Sequence, residues 1–430
     1  MADQGSLRAD KKPPQQDGPK RFPAVLPEDV DLAGRRDERP TGKRFVWLAA
    51  SVLALLLLSD WFILHASMGA AVLCGVAALA LVVIPGVCAY RFLTQYLGPW
   101  KADALSQEER IALEYKGDEA LALRAQRVQR AGSLLGRTED EQPTGSASVL
   151  TSEEVAVLDA HRARETRATL DWLDAAEDPV SVRIAASDEA RLVGHVFACA
   201  PSSRRWVVLV HDFEGDWTDA LLHVRRYAER GFNVLVPELR AHHQSEGAYI
   251  GMGLLDAMDL VLWCRWIVRD MDEGARIVLH GQGMGAAAVC MAAAEKTLPS
   301  GVVAAVSDSG YSDAWNVILR GLRAMRLPAH LVLDVARLVL KLSPGGYDVA
   351  SCDPAAAVVH AQVPMLYLQG EEDLVVPAYM GKRLYDATSG SAAGENKRLC
   401  MFRHAGHNSA CFADPARYYH EVFAFVEPRC

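Results

Sequence analysis

Three short stretches of this sequence hold side chains suited to moving a proton at a reacting carbonyl. The first is Gly281-Gln282-Gly283-Met284-Gly285, which follows the apolar run Arg276–His280 and precedes a run of small residues. Such a turn between a strand and a helix lifts its central residue out of the sheet and presents backbone N–H groups beside it. The second is Gly370-Glu371-Glu372-Asp373-Leu374-Val375-Val376-Pro377, with Asp373 after another apolar run. The third is His404-Ala405-Gly406-His407-Asn408, after the last apolar run. An imidazole oriented by a carboxylate takes a proton from a hydroxyl and returns it to a leaving group. That chemistry also needs a nucleophile, and the centre of the tight turn is Gly283.

Two further stretches complete the pattern. His211-Asp212-Phe213-Glu214-Gly215 follows the apolar run Trp206–His211. Pro237-Glu238-Leu239-Arg240-Ala241-His242-His243-Gln244-Ser245-Glu246-Gly247 ends the run Asn233–Pro237 and continues, past Ala248, into Tyr249-Ile250-Gly251-Met252-Gly253 as one stretch.

Together these five stretches resemble the motifs of α/β-hydrolases, in the membrane-anchored bacterial, serine-aminopeptidase-like branch. The turn at Gly283 resembles the G-x-S-x-G nucleophile elbow, and the chain order elbow, Asp, His is the order of that family. The resemblance runs from about Leu170 to Pro428. It implies Asp373 and His407 as retained triad members, Gly283 at the nucleophile position, and oxyanion donors at Phe213 and Met284. It implies no cofactor.

Departures from the pattern carry as much weight. Glycine at 283 removes the nucleophile, although it suits the strained backbone of an elbow. Asp212 stands where the oxyanion loop has glycine, so a carboxylate lies near the place where negative charge would develop. His243 replaces another glycine. His404 is the alternative third member, less favoured by the loop pattern than His407. A metal site at His404 and His407 lacks a further ligand cluster. His242 and His243 read as surface turn residues. Ser307 and Ser309, flanking Asp308, lack the elbow that a substitute nucleophile would need.

The elements that must position these residues follow from periodicity. Strand-like runs occur at Val180–Ala186, Leu192–Ala198, Trp206–His211, Asn233–Pro237, Arg276–His280, Val302–Ser307, Met365–Leu368 and Arg398–Phe402. Helix-length segments lie between them at Trp217–Arg230, Gly253–Met271, Gly285–Lys296, Tyr379–Ala387 and Pro415–Phe425. This alternation predicts an α/β fold with a mostly parallel sheet and helices on both faces. The first three strands read as an antiparallel opening. About thirty helical residues, 313–343, read as a small cap inserted over the strand ends.

Before that domain the chain changes character. Residues 1–44 are polar and charged, which predicts a disordered segment. Phe45–Ser59 and Trp61–Tyr90 carry no formal charge, separated only by Asp60. A spanning helix needs about 20 apolar residues. The stretch 45–90 therefore predicts two membrane helices joined near His65-Ala66-Ser67. Arg35, Arg36, Arg39, Lys43 and Arg44 precede them, and Arg91 and Lys101 follow. Both ends are thus expected on the cytoplasmic side of a multi-pass cell-membrane protein. Residues 91–150 read as a helical patch, Ala104–Arg130, and a polar linker, Gly136–Ser148.

Composition narrows the partners. Lys+Arg number 45 against Asp+Glu 54, a net charge of −9, which argues against nucleic acid as a partner. The nine cysteines are odd in number and mostly sit in apolar runs, as in a reduced protein. The expected partners are the lipid bilayer and a small acyl or peptide ligand. The expected function is that of a membrane-anchored hydrolase-fold protein without serine chemistry, a pseudoenzyme or binding protein. The alternative is a weak hydrolase of esters or amides in which the His407–Asp373 pair activates water.

Overall fold

The computed structural model describes residues 43–65, 68–99, 150–324, 327–388 and 393–430. Residues 1–42 of the expected disordered segment, the connection at Ala66-Ser67, the patch Ala104–Arg130 and the linker Gly136–Ser148 lie outside these residues, while Lys43 and Arg44 begin the first helix.

The eight strand-like runs form one sheet. Its strands are β1 (Val180–Ala185), β2 (Arg191–Phe197), β3 (Arg205–Val210), β4 (Asn233–Pro237), β5 (Arg276–Gln282), β6 (Val302–Asp308), β7 (Met365–Gly370) and β8 (Lys397–Phe402). Their spatial order is β1-β2-β4-β3-β5-β6-β7-β8. β2 pairs antiparallel with β1 and β4, and every pairing from β4 to β8 is parallel. The first three strands alternate in direction, but the second antiparallel neighbour of β2 is β4 rather than β3. β3 lies mid-sheet, parallel to β4 and β5, because the helical crossover between β3 and β4 returns the chain in the same direction.

Period-2 alternation buries both faces. Trp206, Val208, Val210, Ile277 and Leu279 enter one core, and Val207, Leu209 and Val278 enter the other. Strands covered on both sides read as continuous apolar runs, which is why these segments were legible. Helices α1 (Lys43–His65), α2 (Met68–Phe92) and α3 (Ser152–Leu173) precede the sheet. Within it follow α4 (Leu221–Ala228), α5 (Leu254–Trp266), α6 (Met284–Ala292), α7 (Ala314–Ala324), α8 (Ala329–Leu342), α9 (Ala378–Ala387) and α10 (Pro415–Val426). The first core takes side chains from α2, α5, α6, α7 and α8, and the second from α4 and α10. Helices α7 and α8 occupy the stretch read as a cap.

Helix α3 is an element that periodicity did not reveal. Its polar surface masks the pattern, but Thr151 and Glu154 form a capping box at its start. Glu165 of α3 is buried and accepts hydrogen bonds from Arg225 and Arg226.

Helices α1 and α2 pack along each other, and Ser59 Oγ donates to the Ala71 carbonyl at 2.9 Å. Of this pair, α2 is long and apolar enough to cross a membrane, with 25 residues and a mean hydropathy of 2.6. The apolar part of α1 is shorter, Trp47–Trp61. The far end of α2 and the π-helical turn after it, Leu93–Leu97, do not stand apart from the sheet domain. Ala89, Phe92, Leu93 and Leu97 are buried in the first core, and Ile250 N–H donates to the Leu97 carbonyl at 2.8 Å.

Candidate functional site

The elbow forms where β5 ends and α6 begins, near the middle of the sheet. Gly283 takes φ 52° and ψ −113°, a conformation that strains any residue with a side chain. Gly285 lets the helix pass close to β3, since a Cβ there would strike the carbonyls of Val210 and His211. The next amide, Met284 N–H, points from the helix start into the site.

Asp212 fills that site. Its Oδ1 accepts from Met284 N–H at 2.6 Å and from Phe213 N–H at 2.7 Å. These are the two donors expected to hold an oxyanion. Its Oδ2 accepts from His407 Nε2 at 2.9 Å and from Asn408 Nδ2 at 2.8 Å. A Cβ on Gly283 would overlap the Asp212 carboxylate. Aspartate at 212 and glycine at 283 are therefore complementary: one side chain takes the room that the other lacks.

Asp373 holds the opposite side of the imidazole. His407 Nδ1 lies 2.8 Å from Asp373 Oδ2. Asp373 Oδ1 accepts from Val375 and Val376 N–H, and Gln369 Nε2 donates to Oδ2. Asp373 is buried, whereas 18% of the His407 side chain and 26% of the Asp212 side chain reach solvent. The site is open from the Asp212 side.

Both His407 ring nitrogens face carboxylate oxygens, so both donate and the ring is an imidazolium. Burial opposes that charge, but the Asp373 and Asp212 carboxylates outweigh it and hold the His407 pKa well above the usual histidine value. Burial likewise opposes the Asp212 carboxylate. The His407 hydrogen bond and charge and the two N–H donors overcome it and lower its pKa. An imidazolium that keeps its Nε2 proton in a hydrogen bond to Asp212 has no lone pair with which to take a proton from water.

The remaining candidates lie elsewhere. His404 pairs with Glu154 at 2.7 Å, away from Asp373. Ser309 is fully buried; its Oγ donates to Asp308 and accepts from Asn408 N–H, which ties the loops together. His242 is not on the surface: it is fully buried, its ring edge against His211, and its Nδ1 donates to the Arg240 carbonyl. His243 is nearly covered and faces Asp216 at 3.5 Å. His211 Nδ1 donates to the Asp212 carbonyl while Nε2 accepts from Leu239 N–H, fixing the start of the loop. Burial lowers the His211 pKa, so this ring is neutral. Among the described residues, no three His, Cys, Asp or Glu side chains are grouped to hold a metal ion. Asn408 is a site residue that the sequence reading did not single out. Its only signal was its place directly after His407.

No protein-family model matches the sequence. The uncharacterized protein YqkD of Bacillus subtilis (strain 168) is 26% identical over 188 residues, 44% of this chain. The chain spans 61% of the length of that relative. Among solved structures, an esterase of Pyrococcus furiosus, Pf2001, aligns with 20% identity and a TM-score of 0.47, over 59% of this chain and 93% of its own. The Pyrococcus horikoshii acylaminoacyl peptidase aligns with 17% identity and a TM-score of 0.45, over 59% of this chain and 42% of its own. A puromycin-hydrolyzing peptidase of Mycobacterium tuberculosis aligns with 19% identity and a TM-score of 0.45, over 58% and 39%.

Proposed function

We propose that this chain is an α/β-hydrolase-family protein held at the cell membrane by its N-terminal helices, and that it binds a ligand rather than hydrolysing one by serine chemistry. The observation that carries this reading is the Asp212 carboxylate on Phe213 and Met284 N–H, over the side-chain-free Gly283. A carboxylate so placed does two things. It saturates the donors that would stabilise a tetrahedral oxyanion, and it adds negative charge where more would have to form. The motif order and the elbow after β5 support the family. The apolar length of α2 supports the anchor, and the positive residues flanking the helices favour the cytoplasmic side for the domain. A small acyl or peptide ligand fits a site derived from such an enzyme.

The test is an activity-based probe and a panel of short and medium acyl esters, applied to the full chain in detergent. Wild type is expected to show neither labelling by a fluorophosphonate nor ester turnover. Turnover in wild type that disappears in His407→Ala would overturn the reading in favour of water activated by His407 and Asp373.

A further inference from the structure

Helix α8 is apolar on two sides. Val332, Leu333, Ala336 and Leu340 are buried in the first core. Leu338, Val339 and Leu342 face outward, 48%, 41% and 76% exposed. Leu338 and Leu342 are four residues apart, so they share one stripe along the helix. A second, outward apolar stripe on a helix is covered only by another protein surface or by lipid. The same helix packs directly against α2. The α2 side chains Val76, Leu79, Val83 and Val87 are also uncovered, so both members of this packed pair present apolar side chains outward.

The charges beside the stripe fit a bilayer margin. Lys341 is largely exposed, and Arg337 beside it pairs with Asp348 at 2.6 Å. Past the end of α8, Gly345 lies against Ala248. The neighbouring cleft, about 420 Å³, is lined by Pro99, Arg183, Arg191, His243, Glu246 and Gly247, among others. Arg191 pairs with Glu246 at 3.0 Å, whereas Arg183 is exposed and, among the described residues, has no side-chain hydrogen bond or ion pair. Pro99 follows the end of α2 by a few residues, so these cations sit near the height at which α2 would leave the hydrocarbon. Basic side chains at that height meet lipid phosphates.

We infer that α8 is an interfacial membrane helix, with Leu338, Val339 and Leu342 seated at the boundary of headgroups and acyl chains on the Arg91 side of the bilayer. This rests on the membrane reading of α2. The inserted helices beside the site are then in contact with lipid, and a ligand reaches Asp212 along the bilayer surface.

The experiment uses the full chain in phospholipid nanodiscs, with a benzophenone amino acid placed singly at Leu342, at Leu79 of α2 and at Val155 of α3. Irradiation followed by mass spectrometry reads covalent lipid adducts. Adducts are expected at positions 342 and 79 and none above background at 155. An adduct at 79 without one at 342 overturns the interfacial helix and leaves the anchor standing. Absence at both overturns the anchor and the inference with it. A cross-link from 342 to a second copy of the chain also overturns the inference, because protein rather than lipid then covers the stripe.

Discussion

Asp212 Oδ1 occupies the space that a Cβ on Gly283 would need. The two positions are 71 residues apart in the chain, yet neither side chain can be understood without the other. A serine at 283 would collide with the aspartate, and a glycine at 212 beside Gly283 would leave the oxyanion donors with no protein partner.

Serine-hydrolase chemistry at this site should therefore take two changes. Gly283→Ser alone is expected to be inactive and less stable by about 1–3 kcal/mol, from overpacking against Asp212 and strain at φ 52°. Asp212→Gly alone is expected to be inactive for want of a nucleophile. The double variant frees the hole and supplies the hydroxyl, so fluorophosphonate labelling and ester turnover should appear only there.

The charge on His407 gives a pH signature. Its pKa is raised in the folded chain, so its stabilising contribution is complete below the ordinary value of about 6.5 and fades as pH rises through the folded value. The Asp212 pKa is lowered, so its contribution is complete above about 3.9 and fades as pH falls through the folded value. The Tm advantage of wild type over Asp212→Asn should be greatest between about pH 4 and 6.5 and shrink on either side. In the same variant the His407 ring should titrate at lower pH, which histidine NMR reads directly.

Glu165 offers a test of the domain boundary. Its buried carboxylate holds Arg225 and Arg226, linking α3 to α4. Removing one partner of a buried pair strands the other charge, so Glu165→Ala should cost about 3–5 kcal/mol by denaturant titration. A cost under half a kcal/mol would mean that α3 does not belong to the folded domain.

Gly285→Ala tests the close approach behind the elbow. The added methyl meets the carbonyls of Val210 and His211, which are backbone and cannot rotate away. A loss of about 1–3 kcal/mol is expected, with a less cooperative thermal transition. An unchanged Tm would show that strand and helix are not in contact there.

The inner strands were legible because each is buried on both faces and reads as an apolar run such as Trp206–His211. The pairing of Asp373 with His407 was legible from loop order. What could not be read was which way Asp212 points. Its residue type announced a carboxylate near the hole, but its place on Phe213 and Met284 N–H depends on three loops meeting. The burial of His242 escaped for a similar reason. Its turn looks polar in one dimension, and its burial, edge-on to the ring of His211, appears only in three. The place of β4 between β2 and β3 is not legible, because periodicity fixes burial and leaves strand order open.

The packing of α2 into the first core has a practical consequence. Ala89, Phe92, Leu93 and Leu97 supply side chains that the sheet domain has no other means of replacing, and Leu97 closes a backbone hydrogen bond with Ile250. The chain is therefore not divisible at residue 150 into an anchor and a freestanding module. A truncated product beginning there would carry a hydrophobic scar where α2 had been, and its solubility and site geometry would be those of a damaged fold. The far end of α2 closes one side of the first core, and a fusion or swap that treats the helix as an exchangeable tether would remove a wall.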